Sequence, residues 1–257
     1  MSKNILFLRI CLLLFNPLSN TLFVCYNEGM NFDCAHYLEW INSEKRSLFE
    51  RYFQMLVEYN ARFNLTAITK QEEVYEKHFL DSILGEALFP KNATVLEVGS
   101  GAGFPSLPLK IVRDDLHFTL VESTGKKCDF LKAVISELSL TNVTVLNGRA
   151  EDYARNENYR ERFDICCARA VARMNTLSEY CLPFVKVGGA FISYKGDADE
   201  EVNEAMNAVK TLGGGTIELF RYFLPASGVR TLVKVKKLRP TPKNYPRGQG
   251  KERKYPL

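Results

Sequence analysis

The sequence predicts an α/β protein: a doubly wound, mostly parallel sheet of seven strands with a reversed edge strand, preceded by a small helical region. Three observations predict it. From residue 93 onward, short β-rich runs alternate with helical stretches, a pattern typical of parallel strands joined by crossover helices. The last two runs have only a short turn between them, which predicts an antiparallel hairpin. Before the first run, apolar residues recur at helical spacing.

The helical region begins with an amphipathic stretch over residues 44–64, and Ser43 is a suitable cap for it. Its apolar stripe consists of Leu48, Tyr52, Leu56, Tyr59 and Phe63. A second helix is predicted over 72–88, ending near Pro90, and a short one over 37–41. These steps of three and four predict helices that bury one face each.

The sheet is predicted from seven runs, which occupy residues 94–98, 117–121, 143–146, 163–168, 190–194, 216–223 and 230–235. The helices predicted between them occupy 107–112, 126–138, 174–184 and 200–212. We therefore divide the chain into an extension (1–30), a helical region (31–92), a sheet domain (93–238) and a basic, proline-containing tail (239–257). A chain of 257 residues is long enough for one domain with a small appendage.

Charge is unevenly distributed along the chain. Residues 234–257 contain nine basic side chains and one acidic one, whereas the rest of the chain carries a net charge of −4. A basic end on a weakly acidic body indicates a polyanionic partner, with a solvated, solubilising tail as the alternative. No apolar run reaches the ~20 residues that a membrane-spanning helix needs, so no membrane partner is expected.

The seven cysteines include no Cys-x-x-Cys pair, which indicates reduced thiols in a cytoplasmic protein. The sparse pair Cys34 and His36 does not predict a metal site. Residues 5–15 resemble the apolar part of a secretion signal, but Arg9 interrupts them and no small-x-small cleavage site follows. The alternative, that translation begins at Met30, is favoured because organised sequence starts only after that residue.

The most informative segment is a strand-like run that enters a glycine-rich turn and then a helix, at residues 95–105: Val-Leu-Glu-Val-Gly-Ser-Gly-Ala-Gly-Phe-Pro. Glycines allow a sharp bend and a close approach of a ligand to the backbone. Glu122 ends the next run, where a carboxylate can hold both hydroxyls of an adenosine ribose. This combination predicts a site for a dinucleotide or for S-adenosylmethionine.

Three features favour S-adenosylmethionine over a dinucleotide. The glycines follow a Gly-x-Gly-x-Gly spacing rather than Gly-x-Gly-x-x-Gly. Glu97 would repel a pyrophosphate but suits a sulfonium and an ammonium group. Pro105 removes an amide donor at the start of the helix, where a pyrophosphate would want one. The candidate cofactor-binding residues from this segment are Glu97, Gly99, Ser100, Gly101, Gly103 and Glu122.

Several stretches, in order, resemble the RsmG (also called GidB) family of small-subunit ribosomal RNA methyltransferases, from about residue 30 to residue 257. They are Tyr59-Asn60 with 63–68, 78–82, 97–108, 120–123 with Lys126-Lys127, 168–170, 194–196, and 240–242 through 245–247. The resemblance implies a Rossmann-like class I methyltransferase fold. It also implies methyl transfer from S-adenosylmethionine to N7 of a guanine, guanine 527, in 16S rRNA.

By the same resemblance, cofactor contacts fall on Gly99, Phe104, Ala150, Glu151 and Arg169. These positions suit a ligand crevice, because residues after the strand ends of an open α/β sheet line it. Two features depart from the family pattern, namely the amino-terminal extension and an acidic residue, Glu252, where a proline is usual.

Guanine N7 has a free lone pair at neutral pH, so catalysis requires placement rather than a general base. The three histidines are scattered, in agreement with this. Arg169 and Lys195, each after a strand, are the candidate catalytic residues, expected to position the guanine. His78 and Asp81 either cap the cofactor pocket or attach the helical region to the sheet, and we favour attachment.

The tail is predicted to bind RNA phosphates, and its prolines to keep it extended. Its candidate RNA-binding residues are Lys243, Arg247, Lys251, Arg253 and Lys254. Removing 243–257 is then expected to weaken RNA binding without affecting the cofactor. The expected partner is 16S rRNA or the small ribosomal subunit, and the expected state is a monomer. The alternatives are an RNA-binding factor with an unused pocket and, less favoured, a nicotinamide-dependent oxidoreductase.

Overall fold

A computed structural model describes residues 24–27, 43–224 and 227–257. These ranges contain eight strands in one sheet. They are β1 (Val24–Asn27), β2 (Thr94–Val98), β3 (His117–Glu122), β4 (Val143–Asn147), β5 (Phe163–Arg169), β6 (Val185–Lys195), β7 (Gly214–Leu224) and β8 (Gly228–Lys237). Their order across the sheet is β1-β7-β8-β6-β5-β2-β3-β4. Only β8 runs antiparallel to its neighbours, so the predicted doubly wound, mostly parallel sheet is confirmed.

Helices cover both faces of this sheet. They are α1 (Ser43–Asn60), α2 (Gln71–Val74, Tyr75–Leu80 and Asp81–Ile83 in succession), α3 (Ser106–Val112), α4 (Gly125–Glu137), α5 (Ala150–Tyr153), α6 (Met174–Cys181), α7 (Asp199–Thr211) and α8 (Lys251–Lys254). Short 3₁₀ turns occupy Glu86–Leu88 and Leu182–Phe184. The long helix predicted over 72–88 is wrong in detail, because its middle is a wider π-helical turn and its end a separate 3₁₀ turn.

The reversed strand lies inside the sheet, not at its edge. β6 and β7 are joined through α7, a crossover that leaves one strand position free between them. After the hairpin turn, β8 returns into that position and pairs with both. Beyond β7, the sheet gains β1, which pairs in parallel with β7 and comes from the segment predicted as an extension. The signal-like residues 5–15 and the predicted helix over 37–41 lie outside the described residues.

The sheet separates two hydrophobic layers. On one face, the helical region packs together with α3 and α4, and Tyr52 of α1 is completely buried there. On the other face, α6 and α7 form the second layer. Neighbouring strand residues alternate between the two, as Val95 and Leu96 do. The helical region is therefore a covering layer of the sheet.

The basic tail packs against the body of the protein. Arg160 donates hydrogen bonds to the carbonyl oxygens of Thr241 and Tyr245, at 2.8 Å each. Arg155 donates to the carbonyl oxygen of Pro246, also at 2.8 Å. The tail ends in the helical turn α8, so the expectation that its prolines keep it extended throughout is wrong: none of the four residues of that turn is a proline.

Four cysteines have described side chains, and all four are free and buried, as predicted for reduced thiols: Cys128, Cys166, Cys167 and Cys181. Within the part of the chain that the structure covers, none of the helices has both the length and the apolar character needed to cross a bilayer.

Candidate active site

The glycine turn between β2 and α3 is held in a conformation that needs glycine. Gly99, Gly101 and Gly103 have positive φ angles of 69°, 56° and 94°. A Cβ on Gly99 would meet a methyl group of Val171 at 2.7 Å, whereas a Cβ on Gly101 would meet nothing closer than 3.8 Å. The turn is thus packed against Val171 on one side and open beside Gly101, where a ligand can approach the backbone.

Glu122, at the end of β3, anchors this turn. One carboxylate oxygen accepts the Gly101 N–H at 2.9 Å, and the other accepts the Thr124 N–H at 2.8 Å. The amides of Gly99 and Ser100 donate to the carbonyl oxygen of Val121. An ionised carboxylate has further lone pairs, so Glu122 holds the loop and keeps acceptor capacity for the predicted ribose contact.

An open cleft lies at the carboxyl ends of β2, β3 and β4, the edge at which ligands bind to open α/β sheets. It is lined by Val98, Gly99, Val121, Ser123, Gly148, Arg149, Ala150, Glu151, Val171, Tyr180 and Arg253. Three predicted cofactor residues, Gly99, Ala150 and Glu151, therefore line one cleft. Arg149 forms an ion pair with Glu151, with 2.9 Å between the guanidinium nitrogen and the carboxylate oxygen. This contact orients the Glu151 carboxylate at the wall of the cleft.

Glu97 lies on the opposite face of β2 from the cleft, since its neighbour Val98 lines the cleft. It is completely buried, and neither carboxylate oxygen has a hydrogen-bond partner among the described residues. Burial raises the pKa of Glu97 to about 8, although the neighbouring Ser106 and the charge of Arg169 oppose that rise. This buried carboxyl sits below the loop rather than on the cleft wall.

Phe104 and Arg169 face the helical region. The Phe104 ring is buried and stacks on His78 with ring centroids 4.5 Å apart. The Arg169 guanidinium lies 5.1 Å from the centre of the same ring. Arg169 also donates to the carbonyl oxygen of Lys77 at 2.9 Å and pairs with Asp81 at 3.1 Å. The guanidinium is therefore fixed between β5 and α2, with 11% of its side chain exposed.

Asp81 is the centre of this attachment. It is completely buried, and it pairs with Arg230 at 2.9 Å as well as with Arg169. The Tyr222 hydroxyl donates to it at 2.7 Å. A buried carboxylate needs such compensation. Of the two roles predicted for His78 and Asp81, these contacts favour attachment of the helical region to the sheet.

Lys195, at the end of β6, is held between two partners. Its ammonium group donates to the carbonyl oxygen of Ala172 and to Glu201, at 2.7 Å each. It thereby ties the segment that follows β5 to α7. The side chain is 10% exposed, so it is neither a free surface lysine nor an open contact for a base. Lys195 positions the segment that carries Val171, one wall of the cleft.

The five tail residues predicted to bind RNA have different environments. Lys243, Lys251 and Lys254 are exposed. Arg247 instead pairs with Glu179 at 2.7 Å, a carboxylate whose side chain is 1% exposed. Arg253 is exposed but also lines the cleft. Sequence reasoning missed Tyr180 as a cleft residue, because a tyrosine on an amphipathic helix carries no signal beyond that of a core residue.

Two solved structures, each with a methyl-donor cofactor or its product bound, share this architecture. One is the O-methyltransferase from Bacillus cereus in complex with SAH, with a TM-score of 0.51, 17% identity, and coverage of 79% of this chain and 96% of that chain. The other is M. jannaschii TYW2 in complex with AdoMet, with a TM-score of 0.51, 15% identity, and coverage of 67% and 80%. The fold is the Rossmann-like fold of class I methyltransferases, as predicted.

Sequence comparison identifies the family within this class. The family model GidB, described as rRNA small subunit methyltransferase G, matches residues 45–220. The Ribosomal RNA small subunit methyltransferase G of Lactobacillus acidophilus is 47% identical over 224 residues, covering 84% of this chain and 93% of the relative. That of Brevibacillus brevis is 46% identical over 222 residues, covering 84% and 93%. The chain belongs to the rRNA small subunit methyltransferase G (GidB) family, which confirms the resemblance.

Proposed function

We propose that this protein transfers a methyl group from S-adenosylmethionine to N7 of a guanine in 16S rRNA, guanine 527 by the family resemblance. The observation that carries the proposal is the cleft at the carboxyl ends of β2, β3 and β4 in a chain of this family. Gly99 of the glycine turn lines this cleft, and two residues further on the turn leaves its backbone open beside Gly101.

The residues present fit S-adenosylmethionine. The open backbone at Gly101 and the acceptor capacity of Glu122 suit the ribose. Ala150 and Glu151 suit the adenine, because the carboxylate of Glu151 can accept a hydrogen bond from the adenine amino group. When bound, the cofactor supplies an electrophilic methyl group on a cationic sulfur. The uncompensated carboxyl of Glu97 lies below the turn, where its ionised form attracts positive charge.

This chain's own task is then placement. The guanine N7 lone pair needs no base, and the described residues hold no cluster of metal-ligating side chains. Arg169 fixes the end of β5 against α2, and Lys195 fixes the segment after β5 against α7. Together these contacts fix the two segments between which the guanine base is oriented. The rate of methyl transfer depends on this orientation to within less than an ångström. Both act as positioning residues through these contacts.

Exposed basic residues of the tail support binding of RNA phosphates. Unlike Arg247, four of these residues have no buried carboxylate as a partner among the described contacts: Lys243, Lys251, Arg253 and Lys254. Such binding is independent of sequence and weakens steeply with salt. The target guanine must be reached in accessible RNA, because the major groove of A-form RNA is too narrow for side chains. A 16S rRNA substrate, naked or in the small subunit, places the protein in the cytoplasm, and we expect a monomer.

Calorimetry and a methyl-transfer assay test the proposal together. The protein should bind S-adenosylmethionine and not NADH, and it should transfer labelled methyl groups to small subunits from cells that lack it. Cofactor binding without transfer would favour the alternative, a ribosome-binding factor with an unused pocket. Binding of NADH alone would favour an oxidoreductase and contradict the proposal.

A further inference from the structure

The carboxyl-terminal segment reaches the cleft that lies at the carboxyl ends of β2, β3 and β4. Arg253, on the helical turn α8, lines this cleft together with Tyr180 of α6. Both residues line the cleft together with Ala150 and Glu151, the two residues that the proposed function places at the adenine of the cofactor. The segment predicted to meet only RNA therefore contributes a wall to the cofactor side of the protein.

Buried contacts on both sides of Arg253 fix its position. Glu252 is completely buried, its carboxylate accepts the Gly248 N–H, and its carbonyl oxygen accepts the Thr176 hydroxyl at 2.9 Å. Arg247 donates to both carboxylate oxygens of Glu179, at 3.0 Å and 2.7 Å. Because these anchors lie on α6 and inside α8, the turn that carries Arg253 is held against the body of the protein.

Tyr180 gives an independent indication of a ligand. Its side chain is 3% exposed, it lines the cleft, and its hydroxyl lacks a hydrogen-bond partner within the described part of the chain. Leaving a buried hydroxyl without a partner is costly. Burial raises the pKa of Tyr180, as do the charges of Glu151 and Glu252, while the charge of Arg253 and the approach of its side chain to the hydroxyl oppose that rise. The guanidinium of Arg253 therefore lies beside the hydroxyl, although the two make no hydrogen bond of ordinary geometry.

We propose that Tyr180 and Arg253 complete the binding site for the adenosyl half of the methyl donor. This inference rests on the proposed function and adds two residues to its cofactor site. The Tyr180 hydroxyl supplies a hydrogen bond to the purine, and the planar guanidinium of Arg253 covers it from the solvent side, as arginine does on aromatic faces. The sequence predicted that removal of residues 243–257 would leave cofactor binding unaffected. Because Arg253 belongs to this segment, we now expect its removal to abolish the binding of both the methyl donor and RNA.

Binding of S-adenosylhomocysteine to the full-length protein, measured by calorimetry, tests the proposal without turnover. Tyr180→Phe removes only the hydroxyl, and Arg253→Ala removes the guanidinium from an exposed position. Each should raise Kd about fivefold, the loss expected for one neutral hydrogen bond or one cation–π contact. Lys236→Ala, at an exposed position of β8 outside the cleft lining, is the control and should leave Kd unchanged.

Thermal unfolding of the ligand-free variants separates binding from folding. Tyr180→Phe removes an unpartnered hydroxyl and should not lower Tm, so a weaker Kd in that variant reports the ligand contact itself. Wild-type affinity in both variants would overturn the inference while leaving the proposed function intact. Failure of the wild-type protein to bind S-adenosylhomocysteine would overturn both.

Discussion

The Arg169 guanidinium donates a hydrogen bond to Nδ1 of His78 at 2.9 Å. Nδ1 also lies 3.2 Å from the carbonyl oxygen of Lys77, but that oxygen accepts a shorter hydrogen bond, of 2.9 Å, from Arg169. Because a guanidinium can only donate, we assign Nδ1 as the acceptor and the ring proton to Nε2, which faces the Thr66 hydroxyl at 3.0 Å. Burial, together with the charge of Arg169, lowers the pKa of His78 to about 4. His78 is thus a neutral link between the end of β5 and the loop that follows α1.

The first prediction concerns the pH dependence of stability. The histidine binds a proton near pH 6.5 in the unfolded chain and only near pH 4 in the folded one. Between these values the unfolded state binds more protons, so stability is lost as pH falls from 6.5 towards 4. We expect His78 to account for about 1–2 kcal/mol of the loss between pH 7 and pH 5.

Urea unfolding at the two pH values measures this contribution. His78→Gln, which keeps a hydrogen-bonding side chain but does not titrate, should reduce the pH dependence by that amount. His117→Gln removes an exposed histidine at the start of β3 and should retain the wild-type dependence. An identical pH dependence in wild type and His78→Gln would contradict the neutral, buried assignment.

The second prediction concerns Glu97, whose folded-state pKa of about 8 lies above the ordinary value of 4.5. The folded state therefore binds this proton more tightly, and wild-type stability is lost as pH rises from 4.5 to 8. The stability of Glu97→Gln relative to wild type should therefore rise by about 3 kcal/mol between pH 5 and pH 7.5. It should also bind the cationic S-adenosylmethionine more weakly above pH 8, where the wild-type carboxyl below the turn is ionised, and equally tightly at pH 5, where that carboxyl is protonated.

Paired unfolding and binding measurements check both halves of that prediction. Glu137→Gln, a change at an exposed carboxylate on α4, should alter neither the affinity nor the pH dependence by a comparable amount. If Glu97→Gln binds the cofactor as tightly as wild type above pH 8, Glu97 has no part in the site.

The third prediction compares two glycines with nearly equal φ angles, Gly103 at 94° and Gly188 at 91°. An alanine is strained at either position, at a cost of about 1–3 kcal/mol. A Cβ on Gly103 would also meet the Tyr52 hydroxyl and Leu107 at 2.6 Å each, whereas a Cβ on Gly188 would meet nothing within 4 Å. Gly103→Ala should therefore be the more destabilising by about 1–3 kcal/mol.

Denaturant unfolding of the two alanine variants, with cofactor titration of each, measures the difference. Gly188→Ala, inside β6 and outside the cleft lining, should keep wild-type cofactor affinity, and Gly103→Ala should not. Equal destabilisation would show that the contact between the turn and α1 is not tight.

The fourth prediction concerns Lys195, which holds the carbonyl oxygen of Ala172 and the carboxylate of Glu201. Lys195→Ala should slow single-turnover methyl transfer more than about tenfold, because a displaced wall misplaces the base. Lys186→Ala, at a half-exposed position on the same strand, should transfer at the wild-type rate. An unchanged rate in Lys195→Ala would exclude a positioning role.

Much of the architecture follows from local sequence. The strand runs, the glycine turn and Glu122 at the end of β3 were predictable, because alternation, turn chemistry and strand ends depend on neighbouring residues. The position of β8 between β6 and β7 was not predictable from local sequence. It depends on how the crossover through α7 spaces β6 and β7, and that crossover is more than a dozen residues long. The π-helical turn in α2 has no local signal either.

Of the ten residues predicted to bind the cofactor, three line one cleft, namely Gly99, Ala150 and Glu151, and their role as cofactor contacts stays a prediction. The contacts that support the site were not predictable from the sequence. Arg247 looked like a free cation in a basic run, but its partner Glu179 lies 68 residues earlier on a different element. Tyr180 likewise reaches the cleft through packing that no spacing in the sequence records.

The most direct test of the central claim is the mapping of N7-methylguanine in 16S rRNA from cells with and without this protein. We predict one N7-methylguanine that is absent without the protein and restored by the wild-type chain. An unchanged set of N7-methylguanines in cells that lack the protein would contradict the account.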